Sequence, residues 1–194
     1  MSKKKYNLNT IYISERLQEN LKPISQSAFT AVTAPMGYGK TTAINWYLDK
    51  QSKNGNSCVI RISIYSDNLS VFWQSVQKAF AFAGLDFLDN YSCPSDAASA
   101  GMLADELCYS LSGQISYYIF IDDFHLLTDA RIGDFFCTLA KRIPDNIHII
   151  VASRDRFLSG GAVVGLGGKL HQITVDHLRL NHTELSVYAH LCGT

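Results

Sequence analysis

Residues 28–49 constrain this chain more than any other stretch. A short apolar, β-leaning run over 28–33 leads into Ala34-Pro35-Met36-Gly37-Tyr38-Gly39-Lys40-Thr41, and a helix is predicted over 41–49. Strand, glycine loop and helix in that order bring loop amides and a helix N-terminus to one point. Gly37 and Gly39 let the backbone fold closely enough for several N–H groups to face phosphate oxygens. The helix start adds its partial positive charge. Lys40 can reach β- and γ-phosphates, the Thr41 hydroxyl can ligate Mg²⁺, and Thr42 can bond the α-phosphate. This is the Walker A arrangement, with Ala34 where the first glycine usually stands. The candidate nucleotide-binding residues are Pro35, Met36, Gly37, Tyr38, Gly39, Lys40, Thr41 and Thr42.

A second motif supports the first. Tyr117-Tyr118-Ile119-Phe120-Ile121-Asp122-Asp123 reads as an apolar strand ending in two carboxylates, the Walker B form. In a parallel sheet the strand C-termini gather where ligands bind. Asp122 is therefore expected near the Mg²⁺ held by Thr41, through a water, and Asp123 is expected to orient or deprotonate an attacking water. Taken alone, the two acids could equally cap the turn into Phe124-His125. Ser153-Arg154 ends another apolar run, 147–152. On spacing alone Arg154 has two readings: a γ-phosphate sensor, or a surface arginine paired with Asp155.

The rest of the chain alternates strands and helices. Helices are predicted over 14–21 (closed by Pro23), from Ser70 to 83, from Ser95 or Asp96 to 111, over 129–142 and over 183–191. Further strands are predicted over 57–64, 147–152 and 171–175. The stretch 154–169 carries five glycines and reads as a long mobile loop. Such alternation implies a parallel sheet covered on both faces. Domain organisation follows: a polar segment with a short helix over 1–27, then one domain over 28–194, read as the front part of a longer protein.

Composition excludes several classes. With Lys+Arg equal to Asp+Glu and pI near 7, no broad basic face is available to grip nucleic acid. The one basic cluster, Lys3-Lys4-Lys5, reads as a solvated tail. Five cysteines without CxxC spacing imply neither a zinc site nor a disulfide framework, and several fall in apolar runs as buried thiols. No signal peptide or membrane-length apolar run is present, so a cytoplasmic location is expected.

On these residues the chain resembles the N-terminal nucleotide-binding domain of the signal-transduction ATPases with numerous domains. The branch is that of the large LuxR-type transcription regulators, which include activators of maltose-utilisation genes. The resemblance rests on Thr33-Ala34-Pro35-Met36-Gly37-Tyr38-Gly39-Lys40-Thr41-Thr42, Ile121-Asp122-Asp123-Phe124-His125-Leu126-Leu127 and Val151-Ala152-Ser153-Arg154. Asp67-Asn68 ahead of Phe72, and His177-Leu178-Arg179-Leu180 before Glu184-Leu185, match more weakly.

The resemblance implies a P-loop three-layer α/β sandwich of the additional-strand type. Its five-stranded, mostly parallel sheet would have the order 5-1-4-3-2, with the fourth strand between the first and third. It also implies ATP/ADP as ligand with Mg²⁺, slow hydrolysis, and self-association of the full-length protein when inducer and ATP are bound. DNA would be bound only by a C-terminal helix-turn-helix domain outside these residues. Adenine is expected against the segment from Ile11 to Arg16, Asp123 and Arg154 as the catalytic pair, and Thr41 with Asp122 as metal ligands. The glycine-rich text after Arg154 departs from the family pattern. A free-standing small-molecule or nucleotide kinase is the alternative, but arginine is sparse here and kinases need Arg-rich lids. A module that holds ADP and scarcely turns over is a third reading.

Overall fold

The computed structural model describes residues 10–193; the Lys3-Lys4-Lys5 cluster lies outside them. Five strands make one sheet: β1 (Phe29–Thr33), β2 (Ser57–Ser63), β3 (Ser116–Asp122), β4 (Ile147–Ser153) and β5 (Leu170–Ile173). They run in the order β2-β3-β4-β1-β5, so β4 does lie between β1 and β3. Every pairing is parallel. Parallel strands need crossover connections, and helices fill them: α2 (Lys40–Ser52), α3 (Leu69–Phe82), α4 (Ala97–Ser110), α5 (Ala130–Arg142) and α6 (Gly160–Leu166), while α1 (Glu15–Leu21) precedes β1 and α7 (Val175–Leu178) and α8 (His182–Leu191) follow β5.

The period of two along each strand builds two cores. Ile119 and Ile121 of β3, with Ile147, Ile149 and Val151 of β4, face the layer of α3, α4 and α5. Tyr118 and Phe120, with Ile150 and Ala152, face the opposite layer. There Leu17 and Leu21 of α1 meet Ile44 and Leu48 of α2. Burying each such large side chain stabilises the fold by roughly 1.5–3 kcal/mol, which is why β3 and β4 can be apolar on both faces.

Local differences from the sequence reading have local causes. Pro23 does not end the first helical segment; a 3-10 helix (Lys22–Gln26) continues it with proline in its first turn, where a missing N–H removes no helical bond. Helix α2 runs on to Ser52, so residues 50–52 are helical rather than loop. Helix α3 starts earlier than Ser70, because Asn68 accepts from both Ser70 N and Val71 N and so takes the cap. Val175 belongs to α7 and not to the last strand.

The largest difference lies in 154–169, which is not one long loop. Ser159 caps α6 by accepting from Ala162 N at 3.1 Å. Leu166 is buried and Ala162 packs on the same core. That packing offsets the helical glycines, each of which costs about 1 kcal/mol. Of the cysteines only Cys137 is fully buried; the other four are half-buried, and all are free thiols.

Candidate functional site

The carboxyl edge of the sheet is where the polar residues collect. Thr33 pairs in register with Ser153, and Ser63 with Asp122, so four strands end in oxygen-bearing side chains along one rim. Backbone bonds tie the rim together: Ala34 N donates to Ser153 O and Ile64 N to Asp122 O.

From this rim the loop 34–39 leaves β1 and turns into α2. Gly37 has φ 90° and Gly39 φ 72°, the left-handed region open to glycine, and a Cβ at either would meet open space. The constraint at both positions is therefore backbone conformation. Pro35, Met36, Gly37, Tyr38 and Gly39 are exposed, as are Thr41 and Thr42, while Ala34 is buried as the hinge into β1. Lys40 bends back over its own loop, donating from Nζ to Ala34 O at 2.5 Å and to Pro35 O at 3.1 Å. An ammonium held over an open loop by neutral carbonyls can transfer to a phosphate without breaking an ion pair.

Asp122 is 8% exposed and both of its oxygens are engaged. Oδ2 accepts from Thr41 Oγ1 at 2.7 Å, and Oδ1 accepts from Asp123 N at 2.9 Å. Asp123 follows with φ 58°, the one non-glycine residue with positive φ among the described residues. Its side chain is half exposed, and its Oδ1 stands 3.9 Å from His125 Nδ1. Both ring nitrogens of His125 are buried without a hydrogen-bond partner among the described residues.

Arg154 is exposed at the end of β4. No hydrogen bond or ion pair to Asp155 is found among the described residues, which removes the simplest structural role for it. It acts electrostatically on Lys40. Burial pushes the Lys40 ammonium below its usual range, Asp122 and then Asp123 pull it back up, and Arg154 pushes it down again. The sequence-derived residues Lys40, Thr41, Asp122, Asp123 and Arg154 thus gather at one corner.

The loop and rim fit a polyphosphate with Mg²⁺. Open glycine amides, one ammonium and one hydroxyl–carboxylate pair are the donor set such a group uses. Among the described residues no cluster of three or more His, Cys, Asp or Glu is placed for a metal. Magnesium beside phosphates needs only one or two protein oxygens, because phosphate and water fill the rest of its octahedron.

Next to the loop opens a cleft of about 690 Å³. Gly37, Gly39 and Thr42 form its floor, Tyr12 and Ile13 one wall, and Leu178, Leu180, Leu185 and Tyr188 the other. Tyr12 and Tyr188 stack at 6.3 Å across it. A cleft of this size, apolar and aromatic beside a phosphate loop, suits a planar base. Arg16 lies in the segment expected to touch adenine, but its guanidinium is turned to Glu184. The sequence reading misses the far wall: 177–180 and 184–185 stand out only as weak family matches, and nothing local gives them a role.

No family model matches the chain. The HTH-type transcriptional regulator MalT of Yersinia pestis (strain Pestoides F) is 25% identical over 177 residues, covering 91% of this chain and 20% of its own length. MalT of Yersinia pseudotuberculosis (strain YPIII) matches to the same extent. The chain therefore spans about a fifth of the curated relatives it matches. Among solved structures, a signal transduction ATPase with numerous domains carrying a tetratricopeptide repeat sensor, from Pyrococcus horikoshii, superposes with TM-score 0.63. It is 13% identical and covers 97% of this chain and 26% of its own. Drosophila ORC bound to DNA gives TM-score 0.60 at 16% identity, covering 90% and 44%.

The fold is that of the P-loop ATPases. In this domain the glycine loop, the Thr41–Asp122 pair and the cleft all lie at the carboxyl edge of the sheet, beside the β1–α2 turn. No helix among the described residues is long and apolar enough to cross a membrane.

Proposed function

We propose that this chain is the ATP/ADP-binding regulatory ATPase module of a bacterial LuxR-type transcription regulator working in the cytoplasm. Its nucleotide state switches self-association, and DNA binding by domains outside these residues. The observation that carries the reading is the direct contact of Thr41 with Asp122, which joins the phosphate loop to the acid strand. The similarity to MalT supports the regulator context.

In this reading the backbone of residues 35–39 cradles the phosphates, Lys40 moves from the Ala34 and Pro35 carbonyls onto the β- and γ-phosphates, and Thr42 bonds the α-phosphate. Thr41 and Asp122 would hold Mg²⁺, which would supply charge neutralisation to the phosphates. Asp123 orients a water and accepts its proton, in a slow hydrolysis that resets the switch. Arg154 reads the γ-phosphate from the end of β4.

The test is titration calorimetry with ATP and Mg²⁺. Lys40→Ala is expected to abolish binding while leaving the fold intact, because Lys40 bonds only its own loop. Unchanged affinity removes the proposal.

A further inference from the structure

One side chain ties the beginning of the described chain to its end. Arg16 donates from Nε to Glu184 Oε1 at 3.0 Å and from Nη2 to Glu184 Oε2 at 2.9 Å. The same guanidinium bonds the carbonyls of Asp176 (3.4 Å), His177 (3.3 Å) and Arg179 (2.6 Å). Asn20, one turn further along α1, donates to the His177 carbonyl at 3.0 Å. The fork of Arg16 is thus spent on the α7–α8 segment and none of it on solvent-exposed acids of its own helix.

Glu184 is the matching piece. It is 7% exposed, and of the described residues only Asp122 is another acid buried to that degree. Its Oε2 also accepts from Asn181 N, and its own N–H donates to Asn181 Oδ1, so the carboxylate fixes the first turn of α8 while gripping α1. The two elements joined in this way are the two walls of the cleft beside the phosphate loop. Tyr12 and Ile13 precede Arg16 by a few residues, and Leu185 and Tyr188 follow Glu184 on α8.

We infer that Arg16 and Glu184 are a positioning pair that sets the width of the nucleobase cleft and so decides how strongly the base adds to phosphate binding. The inference rests on the nucleotide reading given above and divides the binding between two parts of the fold. The loop holds phosphates, while the pair holds the walls that stack the base. Neither residue touches the ligand; both act through Tyr12, Leu185 and Tyr188. A lysine cannot replace Arg16, because one ammonium cannot meet a carboxylate bidentately and three carbonyls at once.

The experiment compares ATP with inorganic tripolyphosphate, both with Mg²⁺, by calorimetry on the wild-type chain, Glu184→Gln and Arg16→Lys. Circular dichroism checks that each variant is folded. Loss of a charged hydrogen-bonded pair is expected to weaken ATP by about tenfold in Glu184→Gln, and by at least as much in Arg16→Lys, with tripolyphosphate affinity unchanged in both. A folded variant that binds ATP as the wild type does overturns the inference, as does one that loses ATP and tripolyphosphate in equal measure. If both variants fail to fold, the pair is a staple of the fold and the inference is likewise overturned. A wild-type chain that binds tripolyphosphate as well as ATP removes the base cleft but leaves the phosphate loop standing. A wild type that binds neither removes the nucleotide reading itself.

Discussion

The Thr41 hydroxyl donates to Asp122 Oδ2 across 2.7 Å, joining the first turn of α2 to the last residue of β3. The other carboxylate oxygen is held by Asp123 N, so the group is fixed in orientation before any ion arrives. Asp122→Asn keeps the size and an acceptor but removes the charge. It is expected to bind ATP without Mg²⁺ as the wild type does, and to lose about tenfold of the affinity that Mg²⁺ adds. Titrations with and without Mg²⁺ measure this; an intact Mg²⁺ effect in the variant excludes Asp122 as a ligand.

Asp123 sits in the left-handed region, with Leu126 N closing the turn onto its carbonyl. Asparagine tolerates that conformation at least as well as aspartate, so Asp123→Asn is expected to fold and to bind ATP normally while phosphate release slows. Asp123→Val should instead destabilise the chain by about 1–2 kcal/mol, since a β-branched residue fits this region poorly. Steady-state phosphate release and urea unfolding separate the two effects. Turnover unchanged in Asp123→Asn ends its role as base.

How much is legible in the sequence depends on whether the cause is local. Gly37, Gly39, Lys40 and Thr41 announce their loop because backbone permissiveness, charge and helix start lie within a few residues. The apolar runs of β3 and β4 announce a sheet buried on both faces, and the strand order expected from the resemblance is the one found. Caps are harder. Asn68 and Ser70 are both cap formers two residues apart, and only the geometry decides that Asn68 takes both amides. Helix α6 is hidden by its glycines, because the packing of Ala162 and Leu166 that holds it is tertiary. The cleft wall is hidden for the same reason: Arg16 and Glu184 are 168 residues apart, and no local pattern couples them.

Glycine positions give a paired prediction with opposite signs. Gly39 needs φ 72°, so Gly39→Ala is expected to cost about 1–2 kcal/mol although its Cβ would meet nothing. Gly133 lies inside α5 with ordinary helical backbone and open space around it, so Gly133→Ala should stabilise by about 0.5–1 kcal/mol. Urea unfolding of the two variants beside the wild type checks both signs. Equal effects would mean that the left-handed turn at Gly39 is not kept in solution.

The Arg16–Glu184 pair also sets a pH dependence. The Arg16 hydrogen bonds hold the Glu184 carboxyl well below its ordinary value of 4.5, at about 2, while partial burial opposes them and Ser14 and Asn181 assist. A carboxyl whose pKa is depressed by folding makes the unfolded chain bind the proton first. Its contribution is therefore complete above 4.5 and declines as pH falls toward about 2. Wild type and Glu184→Gln should accordingly differ most in urea stability at neutral pH, and the gap should close over that acidic window. Arg16 stays charged throughout, so the closing reports Glu184 alone. A gap that stays constant down to the lower limit would mean the carboxylate gains nothing from its partner when the chain folds, and that the contact is held by the packing of α8 instead.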